Sequence, residues 1–160
     1  MRLRAAVVVA AASALAIALI VVVGAGAQGG GQAPNALFAV LSGAKEVSPE
    51  GDRGDGDGNG RGSFSAIFAG NRLCYGLTNK NIQDPIAAHI HSGTARQAGD
   101  VEIPLEQPSS GDRGASSECV RVARPLIRAI QANPSRYYVN VHTADFPNGA
   151  IRGQLFGKQR

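Results

Sequence analysis

The stretch RYYVNVHTADFPNGAIRGQL, residues 136–155, decides the fold because it predicts a β-hairpin. Residues 137–143 are rich in the β-branched and aromatic side chains that favour strands. The dipeptide Asn148-Gly149 tolerates the positive φ angles that a tight hairpin turn requires. Residues 150–156 therefore form the returning strand.

Side chains along the first strand of this hairpin alternate between two faces. Val139 and Val141 share the face that we expect to enter the core. Tyr138, Asn140 and His142 share the other face. Because polar and aromatic residues alternate there, we expect this second face to be packed or used, the alternative being a structural hairpin with one hydrogen-bonded histidine.

A second strand is predicted upstream in the run AAHIHSG, residues 87–93. His89 and His91 are two residues apart, so a strand presents both imidazoles on one face. Ile86, Ala88 and Ile90 face the opposite way. Together with His142 these are the three histidines of the chain, and all of them lie on predicted strands.

Four motifs of the chain are similar to those of one known family, in the same order and spacing: LSGAKEV (41–47), AHIHSG (88–93), YVNVHT (138–143) and GAIRGQL (149–155). On these motifs, residues 36–157 resemble the chordin (CHRD) domain. The resemblance implies an extracellular all-β domain, whose animal relatives occur as repeats in chordin, an antagonist of bone morphogenetic proteins. It does not imply a settled biochemical activity. It favours a non-catalytic interaction or structural module over an enzyme, with an extracellular protein or cell-envelope component as partner.

The N-terminus carries the features of an export signal. Arg2 and Arg4 form a short positive region, and an apolar run follows over residues 5–23. Small residues at Ala25 and Ala27 predict signal-peptide cleavage before residue 28, so that residues 1–27 are removed. The alternative is an uncleaved anchor, because about 19 apolar residues can just span a bilayer.

The remaining segments follow from this division. Residues 28–35 form a Gly-rich flexible leader before the domain, and residues 158–160 form a short tail. We expect the protein to be secreted, periplasmic or on the cell surface. Loss of the signal peptide lowers the formal net charge from +4 to about +2, a balance that argues against nucleic-acid binding.

The predicted export affects how the two cysteines are interpreted, because it places them in an oxidising compartment. Cys74 and Cys119 both lie in segments that predict strands. In an oxidising compartment, one even pair most simply forms a single disulfide. Two free, buried thiols are the alternative.

A Gly/Asp-rich loop occupies residues 50–62. Asp55, Asp57 and Asn59 match the opening of an EF-hand calcium loop, but Ala66 stands where the closing glutamate is required. The loop is therefore either a weak calcium site or a flexible connection between strands, and the missing ligand favours the connection.

Short apolar or alternating runs predict seven or eight strands across the mature chain. Pro104 removes a ladder hydrogen bond, which places its strand at a sheet edge or bulge. One short helix is predicted near residues 125–132, begun by Pro125 and stopped by Asn133-Pro134. We expect an all-β fold, an antiparallel Greek-key sandwich or barrel.

The three histidines are the sharpest chemical pattern in the sequence. If His89 and His91 meet His142, their nitrogens form a candidate site for copper or zinc. There is a local similarity to copper–zinc superoxide dismutases, which use a His-x-His strand, a later histidine and an arginine near the chain end, here Arg152. That family also requires a fourth copper histidine and a zinc subsite, which this chain lacks.

Two interpretations of this cluster stay open at the level of sequence. In the first, His89, His91 and His142 bind copper or zinc, and Arg152 attracts an anion. In the second, the imidazoles form a buried hydrogen-bond network with Asn140 or backbone groups, and Arg152 is a structural cation paired with Asp145 or another acid. The second interpretation involves no cofactor.

Overall fold

A computed structural model describes residues 35–157 of the chain. The predicted signal peptide (1–27), nearly all of the leader (28–35) and the tail (158–160) lie outside the described residues. Within the described range, none of the helices is both long enough and apolar enough to cross a membrane.

The described residues form nine strands and one α-helix, and the prediction of an all-β fold with one short helix is confirmed. In chain order these elements are β1 (Ala36–Ser42), β2 (Arg61–Ala69), β3 (Arg72–Lys80), β4 (Pro85–Ser92), β5 (Val101–Leu105), β6 (Ala115–Arg121), α1 (Arg124–Ala132), β7 (Tyr137–Thr143), β8 (Ile151–Gln154) and β9 (Phe156–Gly157). Short 3-10 turns follow β1 (Gly43–Lys45) and precede β7 (Pro134–Arg136).

The strands form one antiparallel sheet in the order β5-β4-β7-β8-β1-β2-β3-β6, with the short β9 paired to β1. The sheet curls until its two ends approach one another. Ser116 Oγ on β6 donates a hydrogen bond to the carbonyl of Glu106, just after β5, at 2.7 Å. The result is a nearly closed barrel, and Pro104 lies on its edge strand β5, as predicted.

Apolar side chains fill the interior of this barrel. Strands β1 to β5 and β7 contribute alternate residues, as the period of two requires, β8 contributes Ile151, and α1 adds one side of a helix. The fully buried members include Leu37, Leu41, Leu73, Leu77, Ile90, Ile130, Val139, Val141 and Ile151.

The hairpin that organises the sequence is present as β7 and β8. Gly149 occupies the turn with a φ of +141°, and its N–H donates to the carbonyl of Phe146 at 3.0 Å. A Cβ at this glycine would lie 2.4 Å from Glu46 Oε2, so both the backbone angle and the space exclude a side chain. The returning segment is longer than one strand, because β8 pairs with β7 and β9 continues along β1.

Ile86 is not buried with the other residues that share its predicted face. Its side chain is 58% exposed, whereas Ala88 and Ile90 of the same strand are buried. The register between β4 and β7 shifts between Pro85 and Ala87, so the alternation breaks just there.

The predicted disulfide is confirmed. Cys74 on β3 and Cys119 on β6 are directly paired residues of adjacent antiparallel strands, and their sulfurs are bonded. The bond fastens the edge strand β6 to the rest of the sheet across 45 residues of sequence.

Candidate metal centre

Both faces of β7 are buried, which confirms that its polar face is packed. In the ladder between β4 and β7, His89 pairs with Asn140 and His91 pairs with Tyr138. Directly paired residues share a face of the sheet, and His142 lies diagonally across from His89 on the same face. All three histidines therefore project from the side of the sheet opposite the apolar core.

The structure brings the three imidazole rings together. The ring centroid of His89 lies 5.0 Å from that of His142 and 5.4 Å from that of His91, and His91 and His142 are 5.9 Å apart. One ring nitrogen of each lies within 4.8 Å of the others. Among residues 35–157 this is the group of three or more histidine, cysteine or acidic side chains that could hold a metal ion.

Backbone carbonyls fix which nitrogen carries the proton in two of the rings. His142 Nδ1 lies 2.9 Å from the carbonyl oxygen of Pro147, and His91 Nδ1 lies 2.9 Å from that of Gly99. A carbonyl can only accept, so each Nδ1 donates. In the neutral imidazoles, each Nε2 then carries a lone pair and no proton. Histidines that bind a metal through one ring nitrogen usually donate the other N–H to a carbonyl or carboxylate in this way.

The two unprotonated nitrogens differ in their partners. His91 Nε2 is buried and has no hydrogen-bond partner among the described residues. His142 Nε2 lies 3.1 Å from His89 Nδ1, which must be the donor because His142 Nε2 has no proton. A buried nitrogen without a partner costs free energy, and a metal ion would satisfy it.

Burial keeps the histidines neutral at neutral pH. It lowers the pKa of His89 from 6.5 to about 4, and the neighbouring rings of His142 and His91 add to this. Burial also lowers the pKa of His91 and of His142, against opposing hydrogen bonds to Gly99 and Pro147. The neutral form is the one that binds metal ions.

Tyr138 connects the histidines to Arg152. The rings of His91 and Tyr138 are stacked, with centroids 4.9 Å apart and an angle of 5° between their planes. Arg152 Cζ lies 3.4 Å from the centroid of the tyrosine ring, in cation–π contact. The N–H of Gly99 donates to the hydroxyl of Tyr138 at 3.1 Å, so the same loop residue holds both Tyr138 and His91.

Arg152 is 1% exposed, and the acid nearest its guanidinium is Glu46. Arg152 is therefore paired with an acid other than Asp145, as the second interpretation allowed, and Asp145 accepts a hydrogen bond from Gln83. Asn140 likewise donates to Glu46 Oε2 at 3.0 Å rather than joining the histidines. The predicted hydrogen-bond network of the histidines does exist, and it uses backbone groups and the His89–His142 contact.

The Gly/Asp-rich loop packs beside this centre. The Asp57 N–H donates to the carbonyl of Ala150 at 2.8 Å, next to the hairpin turn. Asp57 Oδ1 accepts from the N–H groups of Asn59 and Gly60 at 2.9 and 3.2 Å, which closes a local turn. This loop therefore acts as a connection that packs against the hairpin turn, and calcium binding by Asp55, Asp57 and Asn59 stays a prediction.

Sequence reasoning missed Glu46 and Gly99. Glu46 reaches Asn140 across 94 positions of sequence, and nothing near it marks a buried acid. Gly99 contributes only its backbone N–H and carbonyl, and the identity of a residue does not predict such backbone contacts. Its position in the loop before the edge strand was the one available signal.

We expect Glu46→Gln to change how stability depends on pH. Burial raises the pKa of Glu46 to about 7, against lowering contributions from the Val47 N–H and Arg152. The folded protein thus holds this proton more tightly than the unfolded chain, so the contribution of Glu46 is complete below pH 4.5 and lost as the pH rises through about 7. At about 1.4 kcal/mol per pKa unit, the loss amounts to roughly 3 kcal/mol.

Chemical denaturation of metal-free protein between pH 4.5 and 8 measures this effect. The difference in unfolding free energy between Glu46→Gln and the parent should grow in favour of the variant across that range. The subtraction cancels the histidines, which titrate in both proteins. Glu50→Gln, at an exposed loop position, is the matched control, and a constant difference for Glu46→Gln would contradict the prediction.

Comparison with known proteins gives one family. The CHRD domain model matches residues 37–155, which include all three histidines, Glu46, Tyr138 and Arg152. No curated protein and no solved structure matches the chain.

Proposed function

The chain belongs to the CHRD domain family, and we propose that it is an exported member that binds one copper or zinc ion through His89, His91 and His142. CHRD domains are typically extracellular, and a disulfide is compatible with an oxidising compartment. Export by the predicted signal peptide of residues 1–27 is part of this proposal.

The convergence of three neutral imidazoles carries the proposal. Each ring offers one nitrogen within 4.8 Å of the others, and backbone carbonyls orient His91 and His142 so that the Nε2 of each carries no proton. Such orienting bonds behind the ligands are typical of histidine metal sites. A network that served structure alone would have no reason to leave His91 Nε2 buried without a partner among the described residues.

Metal capture requires only small movements of the side chains. Bonds of about 2.0–2.1 Å in a tetrahedral site place ligand nitrogens about 3.3 Å apart, so the rings close together slightly. His89 gives up its hydrogen bond to His142 and turns a lone pair inward. Since His89 is only partly buried, it is the ligand with the most room to move.

Three protein ligands leave a fourth coordination position for water or another small molecule. Copper(II) should bind more tightly than zinc, following the usual order of divalent metals at nitrogen sites. Superoxide dismutation is not part of the proposal, because the chain has no histidine beyond these three. A non-catalytic role with an extracellular protein or cell-envelope partner stays a prediction.

Elemental analysis and calorimetry test the proposal. The full-length chain is expressed with export, purified without a histidine tag, and compared with a His89→Ala/His91→Ala double variant. We expect about one copper or zinc per chain in the parent and none in the folded double variant. Ile86→Ala, an exposed position on the same strand, is the matched control.

Two outcomes of the metal analysis would contradict the proposal. A parent protein that contains no metal and does not take up copper(II) or zinc at micromolar concentrations would rule the proposal out. Equal uptake by the parent and the double variant would show that the metal is held elsewhere.

A further inference from the structure

A cavity lies on the same side of the sheet as the histidines, beside β8, β1 and β9. Its volume is about 390 Å³, and it is lined by Val40, Lys45, Arg53, Ala95, Arg152, Gln154 and Phe156. None of the three histidines is among the described residues that line it. The cavity is therefore distinct from the candidate metal centre.

The charged residues that line this cavity are all positive. Lys45, Arg53 and Arg152 bring three cations to its wall from three separate segments of chain. Lys45 Nζ is held over β1 by a hydrogen bond to the carbonyl of Val40 at 2.6 Å. Within the described part of the chain no acidic residue lines the wall, so the cavity is suited to an anion.

Arg152 provides a second, independent indication. Its Nη2 donates to the carbonyls of Thr94 and Gln97 at 2.8 and 2.9 Å. Its Nη1 is buried and finds no hydrogen-bond partner among residues 35–157. A buried donor without a partner is rare in folded proteins, and here it leaves part of the positive charge of Arg152 without a hydrogen-bond acceptor.

Glu46 does not fill this role. Its Oε1 lies 4.0 Å from Arg152 Nη1, beyond hydrogen-bond distance. Both carboxylate oxygens already accept other hydrogen bonds, Oε1 from the Val47 N–H and Oε2 from Asn140. Arg152 therefore keeps an unused donor on a buried cation.

The rest of the wall is apolar. Val40 is 58% exposed and Phe156 is 52% exposed, although both are large apolar side chains. Exposed apolar surface next to convergent polar groups is typical of small-molecule sites, and the volume lies within their usual range of about 300–1,000 Å³. An inorganic anion would leave this apolar wall uncovered.

From these contacts we infer that the cavity is a binding site for a small organic anion. The carboxylate or equivalent oxyanion of the ligand meets the exposed Lys45 and Arg53, and the buried Arg152 adds a third positive charge to the same wall. Its aromatic or branched aliphatic body packs against Val40 and Phe156. The inference does not depend on the proposed metal site.

Phenylacetate is a suitable probe because it joins a carboxylate to an aromatic ring. Calorimetry and amide chemical shifts of the metal-free full chain should show one site with a Kd below about 1 mM, a reasonable affinity for ten non-hydrogen atoms. Acetate, which lacks the ring, and 2-phenylethanol, which lacks the charge, should each bind at least about tenfold more weakly.

Two exposed-site variants test the residues. Lys45→Gln/Arg53→Gln should raise the Kd for phenylacetate about tenfold, since two charge-assisted contacts are lost. Phe156→Ala should weaken phenylacetate and leave acetate unchanged. The control Lys80→Gln/Arg121→Gln makes the same charge change at exposed positions that do not line this cavity, and it should leave the Kd unchanged.

Three outcomes would overturn the inference. These are no binding of phenylacetate at about 10 mM, equal affinity for 2-phenylethanol, and an equal Kd in the cavity variant and its control. Because the assay uses metal-free protein, its result is separate from that of the metal experiment.

Discussion

Replacing both Cys74 and Cys119 by alanine should lower the free energy of unfolding by about 4 kcal/mol. The disulfide closes a loop of 45 residues, and the loss of chain entropy in the unfolded state stabilises the folded protein by about that amount. The bond also fastens β6, a strand at the end of the sheet whose ladder partner in the described range is β3. Without it, the sheet edge is free to fray.

Urea denaturation at neutral pH measures this loss, and the melting temperature should fall by roughly 15 °C. Hydrogen exchange should rise first in β6 and in the facing part of β3. Ser117→Ala, on the same strand, serves as control because it leaves the crosslink intact. A double variant within about 1 kcal/mol of the parent would show that the ladder alone holds this edge.

The sequence predicts the β7–β8 hairpin well because its determinants are local. Strand-forming residues on either side of Asn148-Gly149 specify the turn and the pairing together. The alternation along β7 also predicts that Tyr138, Asn140 and His142 share a face, and the structure places all three there. The convergence of three histidines follows from this register once β4 lies beside β7.

The surroundings of the site could not be predicted, since they depend on contacts between distant loops. Glu46 belongs to the segment after β1, and it reaches the hairpin only after the barrel has closed. The exposure of Ile86 depends on a register shift at Pro85, which no periodicity signals. Similarly, the cavity beside Arg152 forms only where three segments meet, and the net charge of the sequence does not show which cations will lie together.

Zinc should stabilise the parent protein strongly and a His91→Phe variant not at all. A ligand that binds only the folded state, at a free concentration a thousandfold above its Kd, stabilises by about 4 kcal/mol. This corresponds to a rise in melting temperature of roughly 15 °C. Phenylalanine can keep an aromatic ring stacked on Tyr138, but it provides no nitrogen to the metal.

The metal-free proteins provide the internal comparison. His91→Phe loses the hydrogen bond to Gly99 and removes the buried, unpartnered Nε2, and these changes offset one another to within about 1 kcal/mol. A parent and a variant of similar metal-free stability that respond differently to zinc would assign the response to His91. Ile86→Ala should respond to zinc as the parent does.

The opposite result is equally informative. If zinc raised the melting temperatures of the parent and of His91→Phe by the same amount, the ion would be bound outside the cluster, and the three histidines would serve packing alone. The orientation of the ring by Gly99 would then hold Tyr138 and Arg152 in place rather than prepare a ligand. The hydrogen bond from His91 to Gly99 is present whether His91 serves packing or binds a metal. Only the stabilisation that depends on zinc therefore distinguishes these two roles.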